Sequence, residues 1–313
     1  MKKIFFGILA MAAFAACSNE EQIAAPQGEA IAFGNAFVDN SVRADYSTDD
    51  IEEFLVYGTV NNVNIFSGDK VEKTDDYGKA WSCDKTQYWI EDAAYKFAAL
   101  VDVPNTSVAK DGNGMPVSFT YTADGVTDVL YNYVEKVGQP KGQNSVVGFT
   151  FKHLLAKVYF TVTNGTNDPT YTYTISNVKV NGTYPSATYN VYTSTAVDAV
   201  GDWDNFATAS STDFATIADV EYGTPKKNAE LLLIPEAEVS VSFDVTLSIG
   251  GKEVVTYSYD SAALATPVKV TLAQNCVYNF KVELAPNDPI QFTVVEQPDW
   301  VTPEGGATVT PAN

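Results

Sequence analysis

One histidine and three cysteines in 313 residues leave little of the equipment on which most enzymes depend. His153 is the single imidazole, so no histidine pair exists to hold a metal or relay a proton. It lies in Phe149-Thr150-Phe151-Lys152-His153-Leu154-Leu155, where a lone strand-borne histidine reads as a hydrogen-bonded structural residue. The nucleophile elbow G-x-S-x-G, the zinc motif H-E-x-x-H and the phosphate-binding P-loop are all missing. Carboxylates are plentiful, but a glycosidase pair is defined by a separation that sequence does not give. No catalytic residue and no cofactor is assigned. Apart from Cys17, only Cys83 and Cys276 remain, which is too few for a disulfide framework. Neither has the neighbouring ligands of a zinc site, and the spacing does not decide whether they pair.

Positive charge is equally scarce. Nineteen basic against thirty-nine acidic residues give a net charge of −20, and losing Lys2 and Lys3 with the leader makes it −22. Such a surface is a poor partner for nucleic acid, which is bound by neutralising phosphates. It suits solubility and mutual repulsion at a cell surface.

The apolar run from Ile4 to Ala13 is too short for a permanent membrane span. With Lys2 and Lys3 before it and Phe14-Ala15-Ala16-Cys17 after it, the run reads as a bacterial lipoprotein signal, residues 1–16. Cys17 is then the lipidated N-terminus, its palmitate-type acyl chains each anchoring with roughly 0.8 kcal/mol per buried methylene. Ser18-Asn19-Glu20-Glu21 resembles the surface-export signal of Bacteroidota lipoproteins. The resemblance places the mature chain on the outer face of the outer membrane, held there through the lipid of the precursor.

What the chain has in quantity is period-two alternation. Val239, Val241, Phe243, Val245, Leu247 and Ile249 alternate up to Gly250-Gly251, and Val255, Tyr257 and Tyr259 follow, which spells a long hairpin. Tyr278 to Leu284, Tyr95 to Val101 and Val117 to Tyr121 read as further half-buried strands, and eighteen tyrosines suit pleated surfaces. Asp111-Gly112-Asn113-Gly114, Asn164-Gly165 and Asn181-Gly182 supply turn signals. The first lacks the remaining ligands of a calcium loop and reads as a hairpin turn. Val129 to Val137 and Ala207 to Ala218 are the best short helical candidates. Asp260-Ser261-Ala262 matches a three-residue O-glycosylation pattern, too short to carry weight.

Many short strands between frequent turns predict an all-β chain of two tandem antiparallel β-sandwich domains. The turn-rich stretch near Gly138 to Asn144 marks the division. The expected organisation is a propeptide over residues 17–43, sandwiches over 44–147 and 148–285, and a C-terminal β arm over 286–313.

Several phrases resemble the fimbrillin family of Bacteroidota, the subunits of type V pili. Asp128-Val129-Leu130-Tyr131 resembles its D-L-L-Y phrase, and Phe151 to Val158 resembles its F-x-H-x-L-A-K-V strand. Leu231-Leu232-Leu233-Ile234-Pro235 is similar to its L-L-I-P step, and Leu272 to Leu284 to its closing strand. The resemblance implies transthyretin-like sandwiches, a structural or adhesive stalk or tip subunit, other pilin subunits as partners and a processing protease. A surface glycan or protein receptor would be a further partner. In the family, cleavage after an arginine removes the lipidated segment with its first strand. The only arginine is Arg43, followed by Ala44 in a polar stretch of the kind proteases cut.

The strand so removed would span Ala30 to Val38, with Ile31, Phe33 and Phe37 on one face. Its loss would open an apolar groove with unpaired edges, a condition that calls for another strand. The arm of a neighbouring subunit would supply it, with Ile290, Phe292 and Val294 alternating and Trp300 as an added anchor. Three to five such side chains at about 1.5–3 kcal/mol each give on the order of 10 kcal/mol per joint. Head-to-tail joints of this kind generate filaments, with the protein passing from the outer membrane into a fimbrium after processing. The competing reading is a monomeric surface lipoprotein that binds glycans through Trp81, Trp89, Trp203 and Trp300.

Overall fold

A computed structural model describes residues 28–38, 51–74, 81–196, 199–285, 290–298 and 307–309. More than half of these residues lie in strands, and one 3-10 turn is at Asn105–Ser107. The first half contributes β1 (Phe33–Val38), β2 (Glu53–Val60), β3 (Val63–Lys73), β4 (Trp81–Cys83), β5 (Ala94–Val101), β6 (Val108–Lys110), β7 (Pro116–Thr122), β8 (Leu130–Val137) and β9 (Val147–His153). The second begins with β10 (Ala156–Asn164), β11 (Tyr171–Thr183), β12 (Ser186–Asn190), β13 (Asp202–Asp204), β14 (Ser210–Asp213), β15 (Ile217–Val220), β16 (Lys226–Lys227) and β17 (Leu231–Leu233). It closes with β18 (Glu238–Ile249), β19 (Lys252–Asp260), β20 (Val270–Thr271), β21 (Cys276–Leu284), β22 (Gln291–Pro298) and β23 (Ala307–Val309).

Seven strands form one sheet in the order β1-β9-β8-β5-β2-β3-β4. A four-stranded sheet, β13-β12-β7-β6, lies with it around a common core. β12 and β13 come from beyond the expected division, yet β12 pairs with β7 from Ser186↔Thr122 to Asn190↔Ser118. A second core gathers around Phe33, Phe54, Phe66, Phe97 and Phe149 of the seven-stranded sheet, and the remaining strands make two sheets, β16-β10-β21-β22-β23 with β17 beside β10 and β14-β11-β18-β19 with β15 beside β11 and β20 beside β18, whose facing side chains form the third core. Two pairings, β1 with β9 and β10 with β21, are parallel within an otherwise antiparallel architecture.

Both short helical candidates are extended. β8 pairs along its whole length with β5, and the Ala207 to Ala218 stretch contains β14 and the start of β15. A weak helical period loses to ladder pairing when an apolar segment has a strand beside it. The Gly250-Gly251 turn closes β18 onto β19 with φ of 56° and 78°, values that glycine accepts without strain. Asn181-Gly182 lies inside β11 as a bulge; a Cβ on Gly182 would meet the Glu238 carbonyl oxygen at 2.6 Å. An unforeseen tight turn, Asn61-Asn62, joins β2 to β3 with φ of 47° and 64°, a region asparagine tolerates.

Tyrosine burial has a measurable consequence. Burial pushes the hydroxyls of Tyr173, Tyr189 and Tyr259 up to about 12, and that of Tyr131 well above its ordinary value. Unfolded tyrosines ionise near pH 10, so the stability from these groups is complete below about pH 10 and is lost as pH rises through the folded values. A spectrophotometric titration should show a late tyrosinate phase coinciding with loss of near-UV circular dichroism. Ionisation of all eighteen tyrosines near the ordinary value, with that signal intact, would contradict this burial.

Candidate functional site: the seam and the arm

Residues 28–38 lie where the seven-stranded sheet curls toward closure. Ile31 N–H donates to the Gln87 carbonyl at 2.8 Å and Trp89 N–H to the Glu29 carbonyl at 2.9 Å, while Ala30 bridges Tyr88. On the other side Val147 N–H donates to the Ala32 carbonyl at 2.8 Å. β1 then runs parallel to β9, from Phe33↔Val147 to Val38↔Phe151. The segment therefore ties the chain beyond β4 to β9. Glu29 adds a latch, its carboxylate accepting from Asn144 Nδ2 at 3.0 Å and Gly142 N–H at 2.9 Å. Those hydrogen bonds, the Asn144 side chain's first, hold its carboxyl below the usual range, so the latch weakens as pH falls.

Alternation along an extended chain puts Ile31 and Phe33 on one face, and both are buried while Ala30 and Ala32 are exposed. The Phe33 ring sits among four others, with centroids 5.4 Å from Phe66, 6.2 Å from Phe97, 6.3 Å from Phe149 and 6.4 Å from Phe54. Three of these contacts are edge-on, the favoured geometry for aromatic pairs. The backbone of Phe37 belongs to β1. Cys17, Arg43, Ala44 and Trp300 lie outside the described residues. The cage residues Phe54, Phe66, Phe97 and Phe149, and the Glu29 latch, escaped the sequence reading. Their own alternation marked them only as core.

The arm covers its own domain. β22 pairs with β21 from Cys276↔Pro298 to Glu283↔Gln291, and β23 pairs in turn with β22. Phe292 and Val294 are buried in the third core, the Phe292 ring 5.7 Å from Tyr259 and 5.8 Å from Phe280, and Ile290 packs half-buried against it. These side chains already have partners, so they reach another groove only by leaving this one.

The sequence phrases that carried the resemblance converge on β10 and its surroundings. Leu130 pairs with His153 and Tyr131 with Lys152, which brings the first two together. His153 Nδ1 lies 2.6 Å from Asp128 Oδ2, both side chains fully or almost fully buried. Leu231 to Leu233 pair with β10 on one side and β21 lies parallel on the other, with Tyr278 opposite Val158. Leu154, Leu155, Leu232, Ile234 and Val277 share a core with Tyr189 and Trp203, whose indole N–H donates to the Leu154 carbonyl at 3.1 Å. The single histidine is thus a framework residue that ties the end of β9 to the start of β8.

Other candidates resolve in the same direction. Trp89 and Trp203 are buried, and Trp81 is half-buried against Phe54. Ser261 is fully buried, its hydroxyl donating to the Val268 carbonyl and accepting from Val241 N–H, which withholds it from modification in the folded chain. Asp111 spends its carboxylate on Asn113 and Met115 N–H groups at 2.9 Å, closing the hairpin turn. Cys83 packs against the seam core and Cys276 lies in the third, with no disulfide between them. No group of three or more metal-ligating side chains converges among the described residues.

A family model described as fimbrillin-like matches residues 42–300. A comparison with curated protein sequences found no match. Among solved structures, a proposed cell adhesion protein from Bacteroides uniformis aligns with 88% of this chain and 100% of its own, at a TM-score of 0.56 and 17% identity. Another, from Bacteroides ovatus, aligns with 88% and 99%, at 0.54 and 16%. The fimbrial anchor protein Mfa2 from Porphyromonas gingivalis aligns with 91% and 99% but at 0.37 and 12%, too distant to add to the fold assignment. The first two show a shared fold.

Proposed function

The chain belongs to the fimbrillin-like family, a structural and adhesive family and not an enzyme one, and from that premise we propose that it is a stalk or tip subunit of a cell-surface fimbria. The observation that carries the proposal is the seam. A caged aromatic strand closes the first sheet, and the twelve residues from 39 to 50 that connect it to the remainder contain the chain's only arginine. Such a strand is covalently dispensable once that connection is cut. Lipidation at Cys17 would hold the precursor at the outer membrane until an arginine-specific protease acts after Arg43. Release of residues 17–43 would then leave β9 with an open edge and the four-phenylalanine cage unfilled, a surface that another subunit's strand can complete.

Both ends of the described chain are closed within the subunit, which favours a stable precursor that waits for processing. Exchange of one apolar strand for another changes buried area little, so the persistence of a filament would rest on the barrier to withdrawing a buried strand. Arg43→Ala is expected to abolish both maturation by an arginine-specific protease and filament growth, read by N-terminal sequencing and electron microscopy. Filaments of normal length from Arg43→Ala would reject this route of assembly.

A further inference from the structure

Resting on the reading of the chain as a filament subunit, we infer that the outer edge of β19 is a docking surface for the same edge of a second copy. Two copies pair there antiparallel about a two-fold axis through Thr256, a contact that joins neighbouring filaments side by side.

β19 differs from the other sheet ends. Among the described residues, β4, β6, β13, β14, β16 and β23 end their sheets with two to four residues each, and β1 is closed toward β4 by the Ala30–Tyr88 bridge. β19 runs for nine residues, with β18 on one side and no described strand on the other. A long unpaired edge is a template for strand addition, and β19 holds neither proline nor glycine to blunt it. Its polar side chains are already fixed: Thr256 Oγ1 lies 2.9 Å from Thr246 Oγ1, and Ser258 Oγ donates to Asp244 Oδ1 at 2.5 Å. Little is left to order when another strand arrives. Val254 and Val255 stay 56% and 44% exposed, close to half-buried Tyr257.

Charge selects a copy of the same chain as the occupant. A net charge of −20 drives copies apart, so a contact between them must set opposite charges against each other. Lys252 and Asp260 stand at the two ends of β19. Antiparallel pairing centred on Thr256 puts Lys252 of each copy opposite Asp260 of the other, and Val255 opposite Tyr257, a favourable aliphatic–aromatic pair. Moving the axis to Val255 or Tyr257 sets Lys252 against Ser258 or Ala262, and the charge match is lost. The extra residue at Val254, where the register shifts between Leu247↔Val255 and Ser248↔Glu253, falls near each end of the paired run and adds twist there. One such pairing is weak, but repetition along a filament makes the contact cumulative.

The test is disulfide trapping in the full chain. Directly opposite residues of antiparallel strands have Cα atoms about 4.5–5.5 Å apart, within disulfide reach. Thr256→Cys chains should therefore link to one another, with the joined peptides identified by mass spectrometry. Ser258→Cys chains, whose matching positions lie about 14 Å apart along the ladder, should link about tenfold more slowly. Thr256→Cys carrying Lys252→Asp, or carrying Asp260→Lys, should lose its linkage, and an equal mixture of the two should regain it because opposite charges meet again. Equal linkage at positions 256 and 258, no linkage at 256, or a mixture no better than its components would overturn the inference. Electron microscopy of the processed chain separates the two levels. Filaments without linkage at 256 reject pairing through β19 and leave the pilin role standing, whereas that linkage without filaments does the reverse.

Discussion

Phe33→Ala is expected to destabilise the uncut chain by about 3–5 kcal/mol, the cost of truncating a ring in a well-packed core. The four phenylalanines around Phe33 come from β2, β3, β5 and β9, so they cannot all move inward to fill the space one ring leaves. At about 2–4 °C per kcal/mol for a domain of this size, the first sandwich should melt on the order of 10 °C lower. In a chain cut with an arginine-specific protease, the same substitution should hasten loss of β1, because it removes a ring packed against four others. Phe33→Leu, which retains most of the volume, should recover much of the loss. A melting temperature within a degree or two of wild type for Phe33→Ala would show that the cage does not hold the strand.

Asp128→Ala is expected to cost a similar amount, about 3–5 kcal/mol, for an electrostatic reason: it removes the carboxylate in contact with a fully buried imidazole. His153 is fully buried, and its Nδ1 at 2.6 Å from Asp128 Oδ2 makes a short contact spanning 25 residues of sequence. Burying polar groups costs desolvation that their mutual contact offsets, and removing one of the pair forfeits that offset. Replacing both by leucine should therefore be milder than Asp128→Ala alone. A double-mutant cycle by chemical denaturation measures the coupling. Single substitutions whose costs simply add to that of the double variant would deny the pair its role in joining β8 to β9.

Phe292→Asp in the full chain would confound assembly with folding. The residue sits against Tyr259 and Phe280 in its own domain, so a buried carboxylate there would damage the subunit before it reached a neighbour. A peptide carrying the substitution avoids this, since it leaves the folded chain untouched.

The amino-acid sequence by itself determined the elements that depend on near neighbours. The β18–β19 hairpin follows from six alternating apolar residues before Gly250-Gly251, and the inward faces of Ile31 and Phe33 follow from alternation alone. The resemblance phrases were legible too, although their meaning was not: they meet around β10 and hold the two halves together, where sequence order shows them as separate strands. Only the tertiary structure decided which strand each face would meet. Period two tells a side chain that it will be buried and leaves open in which core, so the transfer of β12 and β13 to the sheet of β7, the parallel placement of β1 on β9 and the docking of Phe292 in its own domain could not be read in advance. Those choices are settled by competition among apolar surfaces distant along the chain, and the same competition leaves one cage of four phenylalanines that a strand must fill.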